Sequence, residues 1–312
     1  MSLDHALALV DAAGGVAYPN PTVGAVVVAG DAIVGEGVTE PYGGRHGEIV
    51  ALAAAGGRAR GATLYVTMEP CAHHGRTPPC VDAIVAAGIA QVVAGCLDPN
   101  PEAAGGLERL RAAGVEAVLD DRFAARRQNE AWRTWKQLGR PFVTYKAAIT
   151  LDGRVTVPGT RWVTGEASRR HVHELRAAAA AVAVGMGTVL ADAPRLDARD
   201  VPVVRQPRRL AFGRGPLPPE SGLELRSGGL VDELAALAAE GVQSLLLEGG
   251  PTLATAFLEA GLVDKLLLYV APTVSGSGPR FLGGLSSPRP LLHLSSRALG
   301  EDALLEAYLR EP

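Results

Sequence analysis

Apolar positions in the first half of the chain switch repeatedly between helical and strand-like spacing. An apolar run at 23–28, a Gly30-Asp31 turn and a second run at 32–35 predict a hairpin. The other apolar patterns predict helices at 3–13, 46–55, 80–87 and 105–113, and strands at 63–68, 91–95 and 115–119. Helices and strands that alternate with short links are typical of an α/β layered domain.

A polar, arginine-rich segment follows at 120–140 and predicts a helical linker that ends at Arg140-Pro141. A second α/β pattern begins at Phe142, with a Pro-, Gly- and Arg-rich irregular region at 193–229. Its apolar runs predict strands at 142–145, 181–185, 244–247 and 265–270, and helices at 166–178, 231–240 and 252–260. The sequence therefore predicts two α/β domains, at 1–141 and 142–312.

Composition narrows the class of protein. Of the 312 residues, 47% are hydrophobic and 20% are charged, which excludes a disordered or fibrous chain. The net charge of −3 argues against a large nucleic-acid-binding surface. No apolar run approaches the roughly 20 residues that cross a bilayer, and the first residues do not resemble a signal peptide. Three cysteines do not build a disulfide framework, so we expect a cytoplasmic protein that binds neither membrane nor nucleic acid. A homo-oligomer is compatible with these features.

The most specific chemistry lies in His46, Cys71 and Cys80, with Glu48 two residues after the histidine. One imidazole and two thiolates favour zinc, and three protein ligands leave a fourth position for water. Zinc lowers the pKa of that water to about 7. A nearby glutamate that does not bind the metal can then move protons, as in hydrolytic deamination of a base. The pattern predicts a catalytic zinc site with Glu48 as the proton carrier.

Two other interpretations of these residues stay open at this point. The first is a packed histidine with two buried thiols, and the second is a closed structural zinc site with His73 or His74 as the fourth ligand. The combination of His-x-Glu, Pro-Cys and a further cysteine favours the catalytic site. A non-catalytic zinc-stabilised module is the corresponding alternative function.

The loop between the cysteines is longer than the Pro-Cys-x-x-Cys of common base deaminases, since eight residues separate Cys71 from Cys80. Together with Pro19–Gly24 and Asp98–Pro101, the segment Glu69–Cys80 resembles the deaminase half of the bifunctional riboflavin-biosynthesis deaminase/reductase family. The resemblance implies a cytidine-deaminase-like three-layer sandwich that binds Zn²⁺ and deaminates a small phosphorylated diaminopyrimidinone ribosylamine. It departs from the family at Gly47, where alanine is usual, and in a shorter segment at 102–106.

Three further side chains suit that substrate. Asn20 offers an amide for a heterocycle edge, and His73 or His74 can contact the base or the sugar. Arg76 can pair with a phosphate, although a solvated surface charge is the alternative for this residue. A nucleobase deaminase that acts on RNA or nucleosides, with a C-terminal binding domain, is the alternative function for the whole chain.

The second half lacks the Gly-x-Gly-x-x-Gly of a Rossmann fold but has glycine turns after two predicted strands, at Gly185–Thr188 and Glu248–Thr252. Backbone N–H groups at such turns favour phosphate. These turns and the segments 146–154 and 160–164 resemble the reductase half of the same family, which implies a dihydrofolate-reductase-like fold and NADPH. By that resemblance, the NADPH contacts are Ile149, Trp162, Thr188, Asp192 and the turn from Gly250 through Pro251 and Thr252 to Ala256. The substrate contacts are Thr160, Arg176, Leu196, Arg199 and Glu248.

This half also departs from the family pattern. The region 193–229 is shortened, and Phe212-Gly213 stands where an Asp-Ser pair is usual. A cofactor contact from that serine would be missing. Thr160 replaces a serine and keeps its hydroxyl.

Overall fold

The computed structural model describes residues 2–75 and 78–312. Arg76, for which the sequence predicts a phosphate contact, lies outside the described residues. The chain divides into two compact units, one that ends at Leu138 and one that runs Gly139–Glu311. Each contains one β-sheet with flanking helices, which confirms the predicted α/β class. No helix in the described ranges is long and apolar enough to cross a membrane.

The first unit is built on a five-stranded sheet with the order β2-β1-β3-β4-β5 within the described residues. Its strands are β1 Gly24–Ala29, β2 Ala32–Val38, β3 Thr63–Val66, β4 Gln91–Ala94 and β5 Glu116–Leu119. Its helices are α1 Ser2–Ala13, α2 Gly47–Ala55, α3 Cys80–Ala86, α4 Gly106–Ala112, α5 Phe123–Gln128 and α6 Glu130–Leu138, with a 3-10 turn at Gly56–Ala59. β1 pairs antiparallel with β2 and β3, whereas β3, β4 and β5 run parallel. The predicted hairpin is thus confirmed, and the polar segment 120–140 forms two helices.

Small residues let α2 lie close to the hairpin. Gly35 and Gly37 of β2 face the α2 backbone, and Gly47 of α2 faces the carbonyl oxygen of Val23. A Cβ atom at any of these three glycines would collide with backbone atoms. The glycine at position 47 therefore follows from the close packing of α2 against the chain that enters β1.

Replacing Gly47 with alanine should destabilise this unit, although alanine is the residue that the resemblance predicts here. The methyl group meets the Val23 carbonyl, and overpacking of this kind costs about 1–3 kcal/mol of unfolding free energy. Denaturant unfolding of Gly47→Ala measures the loss. Gly57→Ala is the matched control, because a Cβ atom at Gly57 has no neighbour within 4 Å and the backbone there suits alanine. Equal stability of the two variants would contradict the close packing.

The second unit has an eight-stranded sheet, ordered β12-β13-β11-β6-β10-β7-β8-β9 in its described residues. The strands are β6 Phe142–Thr150, β7 Ala181–Gly185, β8 Arg208–Phe212, β9 Glu224–Arg226, β10 Ser244–Leu247, β11 Lys265–Ala271, β12 Leu292–Leu299 and β13 Asp302–Tyr308. The helices are α7 Glu166–Ala178, α8 Met186–Asp192, α9 Leu230–Ala239 and α10 Pro251–Glu259. Neighbouring strands in the series β11-β6-β10-β7-β8-β9 run parallel, and β13 and β12 add an antiparallel edge.

Five of the described elements of this unit were not predicted. The region 193–229, expected to be irregular, contains β8 and the three-residue strand β9. The short helix α8 and the hairpin of β12 and β13 were also missed. β12 is almost entirely exposed, so it has no buried apolar face whose period could be recognised. Among the described strands, β9 pairs with β8 alone and is largely exposed, so it too has no buried apolar face that the sequence could reveal.

The parallel arrangement places the ends of several strands together. The segments that follow β7, β8 and β10 meet at one edge of the sheet, where ligands bind in open α/β folds. The central strands are buried on both faces, with Tyr145 on β6 and Leu247 on β10 in the main apolar cluster. The packed central strands therefore fix the positions from which the loops at that edge begin.

Candidate functional site

The first unit brings the three predicted metal ligands together. His46 is the residue before α2, Cys71 lies in the loop after β3, and Cys80 opens α3. Their ligand atoms all lie within 4.8 Å of one another. His46 Nδ1 is 3.2 Å from Cys80 Sγ and 3.6 Å from Cys71 Sγ. Tetrahedral zinc with ordinary Zn–N and Zn–S bonds separates such donors by about 3.5 Å, so the donor set fits the ion.

The electrostatics of this cluster favour a thiolate. Hydrogen bonds from the Cys80 thiol and from His46 outweigh the effect of burial and lower the pKa of Cys71 to about 4. The backbone N–H of Cys80 also donates to Cys71 Sγ at 3.4 Å. The same hydrogen bond to Cys71, together with burial, raises the pKa of Cys80. The hydrogen bond with Cys71 raises the pKa of His46 against the opposing effect of burial.

Glu48 lies beside the cluster in the first turn of α2. Glu48 is only 3% exposed, and its Oε2 atom is buried without a hydrogen-bond partner in the part of the chain that the structure describes. Burial raises the pKa of Glu48 to about 7, although the charge of His46 lowers it and that of Cys71 raises it. Because burying a carboxylate without a partner is costly, an unpartnered oxygen at this place indicates a functional group.

The loops around the cluster are held by a second glutamate. Glu69 is buried, and its carboxylate accepts the backbone N–H groups of Asp98 and Leu107 at 3.1 and 3.0 Å. Burial raises the pKa of Asp98 to about 6, partly offset by the N–H of Asn100 and the charge of His73. His73 is half-buried, and its Nδ1 atom is buried without a hydrogen-bond partner within residues 2–75 and 78–312. These loops bring His73 and Asp98 to the same neighbourhood as the predicted ligands.

Asn20, the predicted contact for the heterocycle edge, lies in the segment that precedes β1. Asn20 is exposed at the end of a turn, and its backbone N–H donates to Ala17 at 2.9 Å. Three residues later, the carbonyl of Val23 packs against Gly47 at the start of α2. The role of the Asn20 amide in binding the substrate stays a prediction.

The second unit contains a cavity of about 1190 Å³ at the carboxyl edge of its sheet. This volume exceeds an ordinary single-ligand pocket of about 300–1,000 Å³, so it suits a dinucleotide with a small substrate. The glycine turns Gly185–Gly187 and Gly249-Gly250 form part of its wall. Gly250 precedes α10, whose first N–H groups suit a phosphate. These features fit a nicotinamide dinucleotide.

A buried ion-pair network forms the floor of this cavity. Glu248 follows β10 and accepts two hydrogen bonds from Arg176, at 2.6 Å from Nε and 3.0 Å from Nη2. Lys146 Nζ lies 3.5 Å from the same carboxylate. Burial would raise the pKa of Glu248, but Lys146 and Arg176 lower it to about 2. One buried anion thus fixes two cations that face the cavity.

Most predicted contacts of the second unit lie on the cavity wall. They are Trp162, Arg176, Thr188, Asp192, Arg199, Glu248, Gly250, Pro251 and Thr252. Three do not line it. The side chains of Ile149 and Leu196 lie in the apolar core, 6% and 2% exposed, because each completes the packing of a sheet face. Thr160 is exposed, and its hydroxyl donates to the carbonyls of Val157 and Trp162. The ligand contacts predicted for these three residues stay predictions.

Several lining residues were missed by the sequence reasoning. They are Lys146, Arg161, Arg169, Arg170 and His173. Lys146 alternates along β6 with buried apolar residues, so a polar side chain in a central strand was the available signal. The histidine and two of the arginines lie on α7, whose polar composition indicated only a solvated helix.

Comparison with known proteins agrees with both sites. Residues 2–96 match the cytidine and deoxycytidylate deaminase zinc-binding region, and residues 141–305 match the RibD C-terminal domain. Fold and sites therefore define a zinc-dependent deaminase joined to a reductase. The chain is 45% identical over 282 residues to the riboflavin biosynthesis protein RibD of Mycobacterium tuberculosis, covering 85% of this chain and 82% of that protein. The chain belongs to the RibD family of bifunctional riboflavin-biosynthesis enzymes.

Solved structures show the same similarity over nearly the whole length. RibD from Acinetobacter baumannii matches with a TM-score of 0.85 and 34% identity, covering 98% of this chain and 97% of that one. A diaminohydroxyphosphoribosylaminopyrimidine deaminase/5-amino-6-(5-phosphoribosylamino)uracil reductase from Thermotoga maritima matches at 0.83 and 31%, with the same coverage. The predicted family, the bifunctional enzyme class and the cofactors zinc and NADPH are confirmed. Family membership disfavours both an RNA-base deaminase and a non-catalytic zinc module.

Proposed function

We propose that residues 1–141 carry the deamination step and residues 142–312 the reduction step. His46, Cys71 and Cys80 hold zinc, and Glu48 moves the protons of hydrolysis. The observation that carries this assignment is the cluster of three donor atoms within 4.8 Å beside a buried carboxylate with a free oxygen. The substrate of the family is a small phosphorylated pyrimidine, and its ring is the group that this site deaminates.

Each residue of the first site has a distinct task. Zinc held there supplies Lewis-acid activation of water. Glu48 takes a proton from the attacking water and gives one to the departing amine, since its buried carboxylate lies beside the cluster and can both accept and donate a proton. His73 and Asn20 bind the substrate, and Arg76, outside the described residues, pairs with its phosphate.

The second site works mainly by positioning. NADPH supplies the hydride that reduces the ribosyl group to ribityl. The turn Gly250–Thr252 holds the cofactor together with Trp162, Thr188 and Asp192. Arg176, Arg199 and Glu248 bind and orient the phosphorylated substrate, with Lys146 beside them. The contacts in this cavity support these roles, because the ion-pair network fixes both cations before a ligand arrives.

One pair of assays tests the proposal. The purified protein, with its zinc content measured, is incubated with the phosphorylated diaminopyrimidinone ribosylamine, with and without NADPH. We expect ammonia release in both reactions and NADPH oxidation only after deaminated product forms. Ammonia release that persists after exhaustive chelation of zinc would contradict the first assignment. Deaminated product with no NADPH oxidation would contradict the second.

A further inference from the structure

Three arginines on the cavity wall of the second unit lack an ion-pair partner among the described residues. Arg176 pairs with Glu248, and Arg199 pairs with Asp197 at 2.7 Å. Arg161, Arg169 and Arg170 line the same cavity, and no described carboxylate lies within 4 Å of their guanidinium nitrogens. The acidic lining residues Glu166, Asp192 and Asp200 do not neutralise them by direct contact. Positive charge therefore concentrates on the wall that runs into α7.

Two of these arginines are held against one aromatic ring. The guanidinium carbon of Arg161 lies 5.1 Å from the centre of the Trp162 ring, and that of Arg169 lies 5.4 Å from it. Trp162 is 52% exposed and lines the cavity itself. Arg169 Nη1 also donates to the carbonyl of Thr164 at 2.7 Å. Cation–π contacts and this hydrogen bond restrict both side chains before any ligand binds.

Restricted guanidinium groups without a carboxylate partner are suited to phosphate. Arginine presents several N–H donors in a planar fork that matches phosphate oxygens, and less entropy is lost when the fork is already oriented. A carboxylate of the protein would compete for these donors, and none of the carboxylates that the structure describes forms an ion pair with them. Both ligands of this reductase carry phosphate: NADPH has a pyrophosphate and a ribose phosphate, and the substrate has a phosphate monoester.

We propose that Arg161 and Arg169, oriented by Trp162, form a phosphate-binding site of the reductase cavity. This proposal rests on the reductase function proposed above. Arg170 adds to the positive potential of the same wall. The ligand chemistry is a phosphate group of either the cofactor or the substrate, and binding measurements separate the two.

The test uses Arg161→Gln, Arg169→Gln and the double variant in the full-length protein. NADPH and NADH are titrated by fluorescence without substrate, and the KM of the deaminated substrate is measured at saturating NADPH. Loss of charge-assisted hydrogen bonds should weaken the affected ligand at least about tenfold in the double variant. If the double variant binds NADPH more weakly but NADH as before, the arginines bind the ribose phosphate. If it binds both more weakly, they bind the pyrophosphate. A raised KM alone assigns the substrate phosphate.

Controls separate this proposal from the proposed function and from misfolding. Arg60→Gln removes an exposed arginine of the other unit and should leave every constant unchanged. The affected affinity should also fall more steeply with salt in the unsubstituted protein than in the double variant. Constants within twofold of the unsubstituted protein for all three ligands would overturn the proposal. An unsubstituted protein that binds no NADPH would instead overturn the reductase function.

Discussion

Glu48→Gln should abolish ammonia release while the protein keeps its zinc. Glutamine preserves the size of the side chain and the three ligands, but it cannot take and return a proton. General acid–base catalysis contributes about 10²–10⁴-fold, so the deamination rate should fall by about a thousandfold or more. Glu48 is buried beside the ligands, and its Oε2 atom has no hydrogen-bond partner among the described residues. Ammonia release at saturating substrate and metal analysis of the same sample measure the two quantities.

Two further variants serve as controls for this prediction. Glu36→Gln alters an exposed glutamate of the same unit, paired with His5, and should release ammonia at the ordinary rate. Glu48→Asp keeps the acid but withdraws it by one methylene, so its rate should fall between the other two. NADPH oxidation with deaminated substrate should be equal in all three. Full deamination by Glu48→Gln with zinc bound would remove Glu48 from the chemistry.

The metal cluster could be predicted from the sequence because its signals are local. His46 and Glu48 are two residues apart, and one loop joins Cys71 after β3 to Cys80 at the start of α3. Short-range geometry then decides most of the arrangement. The conformation of the loop itself could not be predicted, since it depends on Glu69 and its hydrogen bonds to Asp98 and Leu107, which are distant in sequence.

The second cavity was less predictable because distant segments build it. Lys146 and Arg176 meet at Glu248 only after β6, α7 and β10 have assembled, so no spacing in the sequence signals that contact. The predicted contacts at Ile149 and Leu196 stay predictions, because the side chains of both residues lie in the apolar core. A resemblance places such residues near a ligand, but the side-chain direction depends on which sheet face each one completes. Arg176 and Arg169 lie on the same helix, but only Arg176 forms an ion pair with a described carboxylate. The sequence does not distinguish them, because that partner, Glu248, comes from a distant element.

Glu248→Gln should abolish most of the reductase activity and lower the stability of its unit. The substitution leaves Arg176 and Lys146 facing the cavity without their shared anion, and breaking a buried pair in this way costs about 3–5 kcal/mol. The loss should depend on pH. Because the pKa of Glu248 is lowered to about 2 from an unfolded value near 4.3, its stabilisation is complete above about pH 5 and disappears as the pH falls toward 2. Denaturant unfolding at several pH values measures this difference.

A compensated variant separates the catalytic from the structural effect. In Glu248→Leu/Arg176→Met/Lys146→Met the whole network becomes apolar, and replacing a buried ion-pair network in this way is often neutral or stabilising. We expect stability near that of the unsubstituted protein, with NADPH oxidation still at least about a hundredfold slower because Arg176, Lys146 and Glu248 no longer orient the substrate. Ammonia release should be unchanged in both variants. If NADPH oxidation recovers together with stability, the network only supports the fold. If the protein is stable but NADPH oxidation is lost, the network acts on the substrate.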